Sequence, residues 1–179
     1  MNENKNPIED ISVITLELPR WRDYREIRLD ALQTDPQAFL STYARESAWP
    51  DEKWISRLQE TFGSGSWMLF AQDREQKLLG MIGGYRDDDD LKTHRVQVWG
   101  VYVKPEHRGK GIAKSLMVEL LDKFALEPDI EEVILEVNTD QKSAQKLYEG
   151  FGFTVTKTYR SGLGDGQEHE ISEMSMSLK

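Results

Sequence analysis

The sequence predicts a single α/β domain, and three observations carry that prediction. A chain of 179 residues fits one domain and is long enough to bury a sizeable core. Short runs of alternating β-branched, aromatic and polar residues recur along it, as strands require. Between them lie stretches in which large apolar side chains return every third or fourth residue, which is the period of a helix.

Residues 1–10 are polar and are expected to be a flexible N-terminus, leaving 11–179 as the domain. Ile11 to Leu18 alternates in the manner of a strand and is ended by Pro19. Trp21, Tyr24, Ile27, Arg28 and Ala31 then keep helical spacing until Asp35-Pro36, and a second helix from Pro50-Asp51 carries Trp54, Ile55, Leu58 and Phe62 on one face. Trp67–Ala71 and Leu78–Tyr85 read as two strands joined by a polar turn, with Gly83-Gly84 marking a bulge or a close backbone approach. The central strand begins near Val96, and Ala113, Leu116, Met117, Leu120, Leu121 and Phe124 give the next helix its buried face. Val133, Ile134, Leu135 and Val137 form a short apolar run typical of a strand buried on both faces. A compact helix from about Gln141 to Glu149 and two last strands, one ending at Tyr159 and one over about Glu168–Leu178, complete the chain.

Composition narrows the function. The chain is 38% hydrophobic and 31% charged, with no cysteine, which excludes disulfides, thiolate zinc sites and a cysteine acyl-enzyme. A formal net charge of −9 argues against a nucleic-acid binder and suits cationic small molecules or basic termini. No apolar run approaches the roughly 20 residues that cross a membrane, and the start has no apolar signal region, so the expected location is cytoplasmic. The acidic run Asp87–Asp90 lacks the alternating spacing of a calcium loop, and His94, His107 and His169 are scattered, so no metal is expected.

One loop stands apart from the acidic background. Between the central strand and its helix lies Arg108-Gly109-Lys110-Gly111-Ile112-Ala113-Lys114, with Lys104 and His107 just before it. Orphan N–H groups at a helix start attract anions, and missing Cβ atoms let phosphate oxygens reach the amides, so the loop reads as a pyrophosphate cradle. A tight turn with solvated basic side chains is the alternative reading of these residues. Neither G-x-x-x-x-G-K-[S/T] nor G-x-G-x-x-G fits, because Gly111 follows Lys110 and Lys114 takes the place of the third glycine.

Together with Val101-Tyr102-Val103 before it, the loop resembles the acetyl-CoA motif (Q/R)-x-x-G-x-(G/A) of the GNAT superfamily of N-acetyltransferases, filled by Arg108, Gly111 and Ala113. Leu135-Glu136-Val137-Asn138, Gln141, Ala144, Leu147-Tyr148 and Gly152-Phe153 resemble the second signature of that family, with Gln141 where Asn is usual. The resemblance implies a GNAT-like single domain with a mixed, mainly antiparallel central sheet flanked by helices, binding acetyl-CoA where two central strands diverge. It implies that Val101, Tyr102 and Val103 face the pantetheine arm and that Arg108, Gly109, Lys110, Gly111, Ile112, Ala113 and Lys114 hold the phosphates, with Asn138 and Gln141 as polar cofactor contacts. The acceptor implied is a primary amine, on a small molecule or a peptide N-terminus, and homodimers are common in the superfamily.

Acetyl transfer needs a deprotonated amine, a stabilised oxyanion and a proton for the departing thiolate. In the resemblance Tyr148 is the acid. The central strand offers Gln97 where the superfamily often has a glutamate, so Glu136 is the candidate base, with a water chain as the alternative. A carboxylate inside an apolar strand is costly unless paired or useful, and its burial would raise its pKa. A backbone N–H near Tyr102 is the expected oxyanion donor, and Glu46 is a candidate contact for a cationic acceptor. A non-catalytic acyl-CoA-binding module is the alternative function.

Overall fold

The computed structural model describes residues 11–63, 65–86 and 94–178. Residues 1–10 and the acidic run Asp87–Asp90 lie outside the described residues. Among the described residues seven strands form one sheet: β1 (Ser12–Ile14), β2 (Ser66–Gln72), β3 (Leu78–Arg86), β4 (Arg95–Val103), β5 (Glu132–Asn138), β6 (Thr154–Gly162) and β7 (Glu168–Ser177). Their order is β1-β2-β3-β4-β5-β7-β6, and every neighbouring pair is antiparallel except the parallel β4–β5 pair. The helices are α1 (Trp21–Thr34), α2 (Tyr43–Ser47), α3 (Asp51–Gln59), α4 (Ile112–Ala125) and α5 (Lys142–Glu149).

Two cores lie on opposite faces of the sheet. Leu69, Ala71, Leu79 and Ile82 pack with Leu116, Met117, Leu120 and Phe124 of α4, whereas Met68, Phe70, Leu78 and Met81 pack with Tyr24, Ile27 and Leu32 of α1 and Trp54 and Leu58 of α3. Adjacent strand residues thus divide between the two layers, as a pleated strand requires. Gly83 and Gly84 follow the same rule, and the expected close approach is present at both. A Cβ on Gly83 would lie 2.4 Å from the Trp99 indole, and one on Gly84 would lie 2.5 Å from the Phe124 ring.

The bulge lies on β4 rather than β3. Met81 pairs with Tyr102 and Gly83 with Trp99, so two residues of β4, Gly100 and Val101, oppose one of β3, and Gly100 takes a φ of 65°. The extra residue reverses the phase of the strand. Val96 and Val98 before it, and Val101 and Val103 after it, all face the α4 layer, while Trp99 and Tyr102 both face the α1 layer.

The remaining differences are local. The first strand ends at Ile14, because Leu18–Arg20 coils into a 3₁₀ turn around Pro19. Helix α2 has only five residues and begins at Thr42, whose side-chain oxygen accepts from the Arg45 N–H. The β6–β7 loop docks on the segment before α2, where the Gly164 N–H donates to the Phe39 carbonyl at 2.7 Å.

Candidate active site

Beyond Val98 and Leu135 the parallel pairing of β4 and β5 stops, so among the described residues the β5-facing edge of β4 from Trp99 to Val103 has no strand beside it. This opening leads to the loop before α4. Gly109 and Gly111 there adopt φ of 74° and 83°, a region that only glycine occupies without strain, and among the described residues nothing lies within 4 Å of the space a Gly109 Cβ would fill. No bond within the described backbone uses the N–H groups from Gly109 to Lys114, and Gly111 gives α4 its left-handed cap. Buried Leu116, Met117, Leu120 and Phe124 fix that helix end against the sheet. The arrangement fits a pyrophosphate: amides in sequence, no side chain in the way, and the positive end of a 14-residue helix.

Among the expected cofactor residues, Ile112 is buried and Ala113 packs on the core, so both face the loop only through their backbone. Val101 is half-buried and Val103 buried beside the opening. Lys110 is exposed, with Nζ donating to the Glu106 carbonyl, and Lys114 is exposed. Arg108 is engaged within the protein: its Nε donates to the Val103 carbonyl at 2.9 Å, and its guanidinium pairs with Asp35 at the end of α1. It therefore ties the loop to the strand end and to α1. Tyr102 points away from the opening and donates to Asp30 at 2.8 Å; burial, then Asp30, pushes its pKa up to about 12. Asn138 donates to the Gln37 carbonyl at 3.3 Å and accepts the Asp140 N–H, and Gln141 starts α5 half-buried.

On the α1 face the opening joins a cavity of about 490 Å³ between α1, α2, α3, β4, β5 and β6. Glu136 lines it but is exposed, which departs from the expected burial. The sheet face carrying Val133, Leu135 and Val137 is covered by α4, while the opposite face loses its helical cover at Glu136. Tyr159 of β6 donates to Glu136 at 2.5 Å, and burial together with this bond and the charges of Glu136 and Glu173 pushes the Tyr159 pKa well up. Gln97 accepts from the Tyr85 hydroxyl at 2.6 Å. Tyr148 does not line the cavity. It is buried in the α4 layer with its ring 6.1 Å from that of Phe153, and burial alone raises its pKa.

Glu46 also lines the cavity, committed to Arg28 of α1. Arg28 Nε and Nη2 reach its two oxygens at 2.9 and 2.7 Å, with both side chains almost fully buried. Burial by itself would raise the Glu46 carboxyl, but the bonds and charge of Arg28, a bond from Ser41 and the charge of Arg57 hold it below the usual range. Sequence reasoning missed Arg57 and Trp99. The Arg57 guanidinium lies 5.3 Å from the Trp49 ring and 5.4 Å from that of Trp99, with Arg28 5.7 Å from the same indole. The signal for Trp99 was Gly83, whose missing side chain makes room for it.

Among the described residues no group of three or more His, Cys, Asp or Glu is placed to hold a metal, and no helix is long and apolar enough to cross a membrane.

Comparison with known proteins adds a family. Residues 21–153 match the model of the acetyltransferase (GNAT) family. Human N-acetyltransferase 8B is 33% identical over 137 residues, which cover 76% of this chain and 51% of that protein. The chain spans about half the length of the curated relatives it matches. In fold, a GNAT-family acetyltransferase from Streptococcus pneumoniae superposes with a TM-score of 0.83 at 16% identity, over 95% of this chain and 100% of that one. A phosphinothricin acetyltransferase from Sinorhizobium meliloti, solved with acetyl-CoA, gives 0.79 at 20% identity over 94% and 89%.

Proposed function

This chain belongs to the acetyltransferase (GNAT) family, and from that premise we propose that it moves the acetyl group of acetyl-CoA to a primary amine by direct attack. The observation that carries the reading is the opening between β4 and β5, which joins the glycine loop on one side to the cavity of Glu136 on the other. Acetyl-CoA supplies the activated thioester. The amides from Gly109 to Lys114 would hold its pyrophosphate, and the unpaired edge of β4 would pair with its pantetheine arm. Arg108 supports that site by bracing the loop on Val103 and Asp35.

In the transfer, the amine nitrogen forms a bond to the acetyl carbon, the carbon–sulfur bond breaks, and the amine gives up a proton as sulfur gains one. Glu136 is the residue that takes the amine proton. Its exposure to the cavity gives an acceptor direct access, and the Tyr159 hydroxyl fixes one carboxylate oxygen, leaving the other to work. Tyr148 would protect and deliver the proton for sulfur: its raised pKa keeps the phenol loaded, and its hydroxyl has no partner among the described residues. Because Glu136 and Tyr148 belong to opposite faces of β5, they meet one reacting centre only through the opening. A β4 amide near Tyr102 is the oxyanion donor, held in place by the packing of Val101 and Val103 on one core and Tyr102 on the other.

Acetyl-CoA-dependent thiol release across amino acids, polyamines, aminoglycosides and peptides with varied N-termini tests the reading. Release with one class is the expected result. No release from any class, with acetyl-CoA still bound, would overturn it in favour of a non-catalytic acyl-CoA-binding module.

A further inference from the structure

The cavity divides its charge. On the helical wall Arg28, Glu46 and Arg57 stand together. Arg28 and Glu46 neutralise one another in a two-point pair, which leaves one positive charge on that wall. Arg57 is the side chain that carries it: it stacks between Trp49 and Trp99 and forms no ion pair among the described residues. Arg45 adds positive charge at the exposed rim, and Glu60 offsets it. On the strand wall Glu136 is negative, and Glu173, paired opposite it on β7, adds negative charge from outside the lining. A chain of net charge −9 thus presents its acceptor with a dipole rather than an acidic bowl.

We propose that the acceptor carries a carboxylate as well as its amine, with the carboxylate held by Arg57 between Trp49 and Trp99 and the amine turned toward Glu136. This rests on the reading that the amine is acetylated in this cavity. A planar guanidinium presents a fork of donors that matches a carboxylate, and its indole neighbours hold it flat while keeping water from its faces. An acceptor bearing only ammonium groups would set a second cation against this wall, whereas a zwitterion satisfies both walls at once. The finding also redefines Glu46. Its carboxylate is spent on Arg28, so it shapes the cationic wall instead of receiving the amine.

The test is equilibrium titration of matched pairs that differ by one carboxylate: phenylalanine against phenethylamine, leucine against isopentylamine, and lysine against cadaverine. Each is titrated into the CoA-saturated protein, so that binding is read without turnover. At least one carboxylated member is expected to bind about 10- to 100-fold more tightly than its partner, the range for a hydrogen-bonded charge. Arg57→Gln should abolish that advantage, and Arg57→Lys should keep part of it. Equal or weaker binding of the carboxylated member in every pair overturns the proposal, whether or not Arg57→Gln folds, as does an advantage that survives in Arg57→Gln. Acetylation of amines without this preference would sink the proposal and leave the acetyltransferase reading standing. A carboxylate preference that needs Arg57, with no acetylation, would do the reverse.

Discussion

Gly83 and Gly84 are neighbours on one strand, yet replacing each with alanine should have separable consequences. A Cβ on Gly83 would meet three atoms of the Trp99 indole at 2.4 to 2.7 Å, and one on Gly84 would meet Phe124 at 2.5 and 2.9 Å. Carbon atoms pack best at about 3.5–4.0 Å, so either ring must retreat by roughly 1 Å. Overpacking of that kind costs about 1–3 kcal/mol, offset by about 0.4–1 kcal/mol from the stiffer unfolded chain. At about 2–4 °C per kcal/mol for a domain of this size, each variant should lose at most about 10 °C in Tm. Function should part them. Trp99 is the surface on which Arg28 and Arg57 rest in the cavity, and a shift of about 1 Å in such a wall can cost on the order of 100-fold. Phe124 lies in the α4 layer and lines no part of the cavity. Steady-state kinetics of acetyl transfer should show kcat/KM down about 10- to 100-fold in Gly83→Ala and within about threefold of wild type in Gly84→Ala. Equal losses in the two variants at similar Tm, or a larger loss in Gly84→Ala, would refute the placement of the acceptor cavity on the Trp99 face of the sheet.

Three further outcomes are expected. Tyr148→Phe should lower kcat by about 10²- to 10⁴-fold, the usual worth of a general acid, while leaving acetyl-CoA affinity unchanged; an unaffected rate removes Tyr148 from the proton path. Arg108→Glu should abolish acetyl-CoA binding, because it cuts the bond to the Val103 carbonyl and sets a carboxylate against Asp35; an unchanged affinity by calorimetry would show that the loop needs no brace. The Arg28–Glu46 pair should appear in the pH dependence of stability. The folded carboxyl lies below its ordinary value of 4.5, so the pair's contribution is present above that value and lost as pH falls through the folded one. Glu46→Gln should destabilise the protein near neutral pH by the roughly 3–5 kcal/mol of a broken buried pair, lowering Tm, and flatten the acid limb of the Tm profile; a limb as steep as in wild type would contradict this.

What the sequence made legible follows from which interactions are local. Periodicity located the long elements, because Leu116, Met117, Leu120 and Phe124 sit on one turn-repeat and the β2 and β3 residues alternate. The two signatures located the loop and Glu136. The bulge was not readable in Val96–Val103, since an extra residue has no meaning until the strand opposite is known, and only against β3 do Gly100 and Val101 count as two residues facing one. Helix α2 holds only five residues, less than the two turns that make a pattern. The exposure of Glu136 depends on where the helical cover of the α1 face ends, a fact of packing rather than of the β5 sequence. Arg57 was invisible for the same reason, as its partners come from the loop before α3 and from β4, and the pairing of Arg28 with Glu46 spans 18 residues with no shared motif.

The proposed acetyl-CoA cradle is the centre of the account, and Gly109 isolates it. Among the described residues nothing lies within 4 Å of a Cβ placed on this residue, so a substitution there costs chiefly the strain of a left-handed backbone, about 1–2 kcal/mol, and obstructs whatever ligand approaches. Titration of acetyl-CoA into wild type and Gly109→Val, with Tm recorded for both, is therefore the most direct measurement. Saturable binding to wild type, weakened at least tenfold in a variant that has lost only a few degrees, is the predicted result. No binding to wild type, or the same affinity in both, would contradict the assignment of this loop to the cofactor.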